Sequence, residues 1–215
     1  MKFSAVLLAA GNSSRTGVFA PLLKLAGQTL VAHCALLFGQ AKVNDIIVVA
    51  GHRYDEVVGE ARRFGLKCTY NPDYAEGFLA SIRQGAGSLA KTAGFFILPV
   101  SVPLVRPATI AALTAAFDGK TIILPRFAGE TGYPLLFPAS LLKALVDYAG
   151  GDGLPGFLKT HKSGEIREIT VWDRGVLLDA DSTEDFTVFA DHLARRAIGE
   201  RSEALALAGL LMAEK

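Results

Sequence analysis

A three-layer α/β/α, Rossmann-like domain with a mostly parallel sheet is the fold the sequence predicts, on three observations. Short, continuous apolar runs alternate with longer segments of helical spacing. The runs are rich in β-branched and aromatic residues and close on glycine, proline or small polar residues, the pattern of strands buried on both faces. At 215 residues, 51% of them hydrophobic and with a mean hydropathy of +0.34, the chain is long enough for one core that buries roughly 70% of the unfolded surface.

In chain order, residues 3–10 form an apolar run too short for a helix and closed by Gly11, a buried strand. A helix is predicted over residues 28–38 with Gly39 as its C-cap. Residues 45–50 give a second buried strand, residues 54–64 a surface helix and residues 67–70 a short third strand. Residues 77–89 are helical in composition, and residues 95–100 are a fourth buried strand. Pro107 opens a helix to residue 117, residues 121–125 are a strand, and residues 127–131 a polar turn. Residues 139–148 and 154–160 read as helices separated by the glycine-rich residues 150–153. Residues 166–172 alternate as a strand, and residues 176–178 read as another. Asp179 to Asp185 leads into a helix with Ser182 or Thr183 as N-cap. Residues 200–215 form a last amphipathic helix, whose stripe of Leu205, Leu207, Leu210 and Leu211 suits either its own domain or a homodimer contact.

Charge narrows the function. Twenty-two basic and 21 acidic residues leave a net charge of +1, and no basic stripe is present, so small-molecule chemistry is favoured over nucleic-acid binding. Cys34 and Cys68 stand apart in apolar stretches, as free thiols do in a reducing compartment. No run of 18 apolar residues and no cleavage-site pattern occurs, which predicts a cytoplasmic protein with no membrane partner.

The first turn carries the clearest chemistry. Leu7 to Gly17 runs from a strand into a loop of small residues with Arg15 in it. Gly11 and Gly17 let main-chain N–H groups converge on an anion, and a guanidinium can grip two phosphate oxygens at once. A plain strand-to-helix connection has the same composition. The spacing is neither Walker A, which needs four residues between its glycines before Lys-Ser/Thr, nor the dinucleotide fingerprint G-x-G-x-x-G. His33 and Cys34 share a helix without metal spacing, and His52, His161 and His192 are isolated.

Five segments in order resemble the MobA-like nucleotidyltransferases, most closely the molybdenum cofactor (molybdopterin) cytidylyltransferases. Leu8 to Gly17 is similar to L-A-A-G-x-S-x-R-M-G, and Asn71 to Gly85 to N-P-x-[WY]-x-x-G-[MF]-x-x-S-[LI]-x-x-G. Leu98 to Val105 tracks L-x-x-D-x-P-x-V. Gly132-Tyr133-Pro134 stands where the family has G-H-P, and Asp179 to Asp185 where it has D-[IV]-D-T-P-E-D. The resemblance covers about residues 3–195, with a transferase-like domain over residues 1–198 and a helical extension over residues 199–215.

The resemblance implies a nucleotide-diphospho-sugar transferase-like fold and transfer of a nucleoside monophosphate from a nucleoside triphosphate to a phosphorylated, molybdopterin-like acceptor. Pyrophosphate leaves, and Mg²⁺ bridges the triphosphate. It places Ala9, Ala10, Gly11, Asn12, Ser13 and Arg15 on the nucleotide, with Gly77 and Ser81 near base and ribose, and Ala10 favours CTP. Arg15 and Asp181 would be catalytic, Asp179 and Asp181 metal-binding, and Tyr133 and Pro134 acceptor-binding.

Three positions depart from the family. Its lysine falls at Ala20, its first metal aspartate at Ser101 and the histidine of G-H-P at Tyr133. Lys24 lies four residues beyond Ala20, about 13 Å in an extended segment. Losing phosphate contacts costs about 10²- to 10³-fold in rate for each by analogy with removed oxyanion donors. The departures therefore admit a second reading, a nucleotide- or cofactor-binding homologue that serves as carrier, regulator or maturation factor. Asp179-Ala180-Asp181 also imitates the D-x-D of sugar-nucleotide glycosyltransferases, although that motif follows a mid-chain strand, where this chain has Ser101-Val102-Pro103.

Overall fold

The computed structural model describes residues 1–11, 19–43, 45–162 and 164–180. At the centre lies β1 (Phe3–Ala9), in which every residue after Phe3 is buried. Ala5, Leu7 and Ala9 enter one core, and Val6 and Leu8, followed by Ala10, enter the other. A strand places successive side chains on opposite faces, so an unbroken apolar run must be covered twice.

The chain leaves β1, passes a 3-10 turn at Ala20–Leu22 and forms a hairpin of β2 (Lys24–Leu25) and β3 (Gln28–Thr29) before α1 (Leu30–Gln40). Next come β4 (Asp45–Ala50), α2 (Tyr54–Arg63), β5 (Lys67–Tyr70), α3 (Phe78–Ala86) and β6 (Gly94–Pro99). Then follow α4 (Pro107–Ala116), β7 (Ile122–Phe127), β8 (Glu130–Thr131), β9 (Leu135–Pro138), α5 (Leu142–Asp147), α6 (Gly153–Lys159) and β10 (Ile166–Thr170).

The main sheet runs β10-β7-β9-β6-β1-β4-β5, with β8 paired to β7. Strands β5, β4, β1 and β6 are mutually parallel, β10 is parallel to β7, and β9 is antiparallel to both its neighbours. Helices α1, α2 and α4 contribute to one core and α3, α5 and α6 to the other, which is the three-layer arrangement. Helix α3 rests unusually close to the sheet. A Cβ on Gly85 would come within 2.4 Å of Val6 Cγ1 and 2.8 Å of Val49 Cγ2.

Several local expectations are corrected. Gly39 is not a C-cap: α1 continues to Gln40, and Lys42 takes the left-handed conformation (φ 61°) while the Val43 N–H returns to the Phe38 carbonyl. The predicted start at Gln28 is instead the second strand of the hairpin, closed by Ala26 and Gly27 at positive φ, and Thr29 caps α1 by accepting from the Ala32 N–H. Residues 176–178 are no strand; a 3-10 turn at Arg174–Val176 occupies that place. The strand predicted to reach Trp172 ends at Thr170, and Trp172 is exposed. The helices expected after Asp179 to Asp185 and over residues 200–215 lie outside the described residues.

Two buried or half-buried carboxylates tie the layers together. Asp45 opens β4 and accepts from Ser4 Oγ at 2.9 Å, Lys67 Nζ at 2.8 Å and the Ala90 N–H at 3.2 Å, joining β1, β5 and the turn after α3. Burial alone would push its carboxyl up, but hydrogen bonds from Lys67, Ser4 and Ala90 hold it below the ordinary value. Asp173, 3% exposed, accepts from the Arg106 N–H at 2.7 Å, Thr109 Oγ1 at 2.6 Å and the Gly175 N–H at 3.0 Å. It thereby fastens the start of α4 to the segment returning toward the end of β6. Gly175 admits no side chain there, since a Cβ would lie 2.1 Å from the Leu104 carbonyl oxygen.

A carboxyl whose folded pKa is depressed stabilises the fold fully above its unfolded value, and that contribution is lost as pH falls through the folded one. Urea midpoints measured from pH 7 down to pH 3 should therefore decline less steeply in Asp45→Asn than in wild type. Asp173→Ala strands the buried Gly175 N–H, the part-buried Arg106 N–H and the buried Thr109 hydroxyl and should cost about 3 kcal/mol, against about 1 kcal/mol for Thr109→Val. Chemical denaturation of the two variants checks the ranking.

Candidate active site

The sheet switches direction at β1. The chain first builds outward through β4 and β5, then crosses by way of α3 to place β6 on the other side. In open α/β sheets a crevice forms at the carboxyl ends of strands at such a switch. Here it is a solvent-open cleft of about 200 Å³. Its floor is Leu8 to Gly11 from the end of β1 and Pro99 to Ser101 from the end of β6; its walls are Ala20 and Pro21 on one side and Tyr74, Gly77, Phe78 and Ser81 on the other.

Main-chain bonds hold the strand ends in place beyond the regular ladder. The Val100 N–H donates to the Leu8 carbonyl and the His52 N–H to the Ala10 carbonyl, both at 3.1 Å. The His52 ring lies between Phe19, 5.5 Å away between centroids, and Tyr74, 6.1 Å away. Arg53 sits 4.7 Å over the Phe19 ring and is held by Glu56 at 2.6 and 2.5 Å. Ala10, just before the first loop, and Phe19, at its described far end, are thus anchored on the turn that follows β4. His52 packs against two aromatic rings, and among the described residues it joins no group of metal-ligating side chains.

The wall opposite begins with Gly77, whose φ of 95° and ψ of −165° are accessible essentially to glycine alone. That turn delivers the first turn of α3 to the cleft. Ser81, 5% exposed, lies one turn further along and accepts from Asn71 Nδ2 at 3.0 Å.

At the far end, the Ala180 N–H donates to the Ser101 carbonyl at 2.7 Å, so the Asp179-Ala180 pair is set beside the position of the family's metal aspartate. The Tyr133 N–H bonds the Val176 carbonyl at 2.9 Å, and Gly132 packs so tightly that a Cβ would lie 2.3 Å from that same oxygen. Burial raises the Tyr133 phenol, and the nearby Asp179 carboxylate raises it further. Tyr133 is therefore a neutral hydroxyl at physiological pH, able to donate as well as accept.

Of the residues singled out from the sequence, Ala9, Ala10, Gly11, Gly77, Ser81 and Ser101 share the cleft. Tyr133, with the adjacent Pro134, and Asp179 meet at the end of β6 rather than in the lining. Asn12, Ser13, Arg15 and Asp181 lie outside the described residues. Ala20 is in the wall and 3% exposed, while Lys24 is exposed in the hairpin. The described lining contains no charged side chain. Among the described residues no three His, Cys, Asp or Glu groups gather as a metal cage. Hard oxygen donors are nevertheless present in Asp179 and Ser101, and Mg²⁺ needs only one or two carboxylates when triphosphate oxygens and water complete its shell.

His33 Nε2 pairs with the Leu25 carbonyl at 2.8 Å, and Cys34 is buried with its thiol pushed up by burial, so both serve packing. The roles of Asn71 and Asp173 are absent from the sequence reading, although Asp173-Arg174-Gly175 has the Asp-x-Gly signature of a side chain bonding its own backbone two residues on. Among the described residues no helix is long and apolar enough to cross a membrane.

Comparison with known proteins agrees with this geometry. A bifunctional GlmU protein of Polaromonas sp. is 30% identical over 144 residues, spanning 60% of this chain; the chain covers only 30% of that relative's length. The molybdenum cofactor cytidylyltransferase of Escherichia coli is 25% identical over 186 residues, covering 84% of this chain and 92% of the relative. A nucleotidyl transferase from Methanothermobacter superposes with a TM-score of 0.81 at 24% identity, over 91% of this chain and 99% of its own, and so shares the fold. The sequence matches the MobA-like NTP transferase domain over residues 5–165, which covers the cleft and most of the sheet around it, and the chain belongs to that family of nucleotidyltransferases.

Proposed function

We propose that the protein transfers a cytidylyl group from CTP to a phosphorylated acceptor of the molybdopterin kind and releases pyrophosphate. The observation that carries this is the meeting at one cleft of the small-residue floor, Ala9 to Gly11, the Gly77–Ser81 wall and the Ser101 position to which Ala180 is bonded. A phosphate oxygen of the acceptor attacks the α-phosphorus; the new P–O bond forms as the bond to the β-bridging oxygen breaks, and pyrophosphate carries away the electron pair.

The protein's contribution is position and charge. Main-chain N–H groups beyond Ala10 and the Arg15 guanidinium would hold the triphosphate, with Gly77 and Ser81 at the nucleoside. Tyr133 and Pro134 would meet the acceptor, Tyr133 donating a hydrogen bond to its phosphate. Asp179 and Asp181, with the neutral Ser101 oxygen, would hold Mg²⁺, which supplies charge neutralisation on the triphosphate when bound. The unit assigned this activity is residues 1–198, acting in the cytoplasm, with residues 199–215 as an extension available for pairing two copies.

A second reading draws on the uncharged wall at Ala20 and on Ser101: a homologue that binds the nucleotide and transfers little of it. Pyrophosphate release with each nucleoside triphosphate, Mg²⁺ and molybdopterin, beside calorimetric binding, separates the two. The expected result is slow release specific to CTP, raised about 10²- to 10³-fold by Ala20→Lys with Ser101→Asp. Binding without release in parent and double variant supports the carrier reading, and no nucleotide binding overturns both.

A further inference from the structure

After β10 the chain turns along the carboxyl edge of the sheet and is bonded to one strand end after another. The Val171 N–H donates to the Arg126 carbonyl near the end of β7 at 2.9 Å, the Val176 carbonyl accepts from Tyr133 ahead of β9, and the Ala180 N–H reaches Ser101 after β6. Within this segment the side chains alternate. Val171, Asp173 and Gly175 are buried, whereas Trp172 and Arg174 between them are exposed. Trp172 is 91% exposed although both its neighbours are pinned, Val171 to β7 and Asp173 by three hydrogen bonds. Arg106, whose N–H donates to Asp173, is exposed as well. None of the ion pairs among the described residues uses Arg106 or Arg174.

We propose that Trp172, Arg106 and Arg174 form a subsite for the non-reacting end of the acceptor, a planar conjugated heterocycle that stacks on the indole and carries negative charge toward the two guanidinium groups. This rests on the reading of Tyr133 and Pro134 as the acceptor's phosphate end. Position supports it: the Gly132 N–H donates to the Pro125 carbonyl from one side of β7, and Val171 to the next carbonyl along from the other. Tyr133 and Trp172 therefore stand about two strand spacings apart, about 10 Å. A fused bicyclic ring with a short phosphate-bearing arm spans that length. Chemistry supports it too. Single exposed apolar side chains are ordinary, but an indole whose backbone is already fixed offers a flat, electron-rich face with little freedom left to lose on binding. An unpaired guanidinium beside it can stack on the same ring or hold its anion.

Trp172 is the chain's one tryptophan, so tryptophan fluorescence reports this subsite alone. Pterin-6-carboxylate, a planar anion, should quench it saturably, and glycerol 3-phosphate, which has no ring, should leave it unchanged. By calorimetry Trp172→Ala should weaken pterin-6-carboxylate about tenfold or more, and Trp172→Phe less than that. Arg106→Ala and Arg174→Ala should each weaken it about threefold and flatten its dependence on salt. CTP affinity should stay within about twofold of wild type in all four variants, since none of the three residues lines the cleft.

If pterin-6-carboxylate neither quenches the emission nor releases heat, or binds Trp172→Ala as tightly as wild type, the subsite is wrong. It is equally wrong if the emission answers to protein concentration rather than to ligand, the mark of a second copy covering the indole. Loss of CTP and pterin-6-carboxylate together in Trp172→Ala and Trp172→Phe assigns the residue to folding and overturns the proposal. Wild type that binds pterin-6-carboxylate through Trp172 but no CTP supports the subsite and sinks the nucleotide reading instead.

Discussion

A strand hydrogen-bonded along both edges and covered on both faces has no unsatisfied group until the chain leaves it, and β1 is such a strand. Its partners β4 and β6 run parallel to it, so three carboxyl ends are brought level at one edge of the sheet. The connections cannot fill that edge, because the chain departs in opposite directions on either side of β1. The cleft is thus a consequence of strand order, and the bonds from His52 to Ala10 and from Val100 to Leu8 keep the three ends from fraying.

The walls then divide the labour between backbone and side chain. Among the described residues the lining is small, apolar or hydroxyl-bearing. Such a surface excludes water from one side of any ligand the cleft takes and presents peptide dipoles, whose interactions strengthen as the local dielectric falls. Charge enters from the rim: Asp179 is brought in through its neighbour's bond to Ser101, and that approach depends on Asp173, which ties the returning segment to α4. Asp173, outside the cleft lining, therefore helps set where the Asp179 carboxylate stands relative to Ser101.

Much of this was legible in the sequence, and what was not has physical reasons. Continuous apolar runs marked β1, β4 and β6 closely, since burial on both faces leaves no other pattern. The insertion of β9 antiparallel between β6 and β7 could not be read, because pairing partners distant in sequence leave no local trace. The hairpin before α1 was missed because its turn is Ala26-Gly27, an alanine at positive φ where asparagine or aspartate is the usual signal. Residues 176–178 are apolar like a strand, yet one bond from the Tyr133 N–H to the Val176 carbonyl is not a ladder. At the site, small residues at the ends of strands identified the floor, whereas the pairing of Asn71 with Ser81 needed coordinates.

The closeness of α3 to the sheet has a bearing on how this cleft can change. Gly85 lets the helix sink until its backbone nearly touches Val6 and Val49, and Ser81 is one turn nearer the opening on the same rigid rod. The height at which this wall of the cleft stands is therefore set deep in the core, at a point outside the cleft lining. Exchanges around the rim can alter what is grasped while leaving the pocket's depth untouched, but a single methyl group at that pivot would tilt the entire wall.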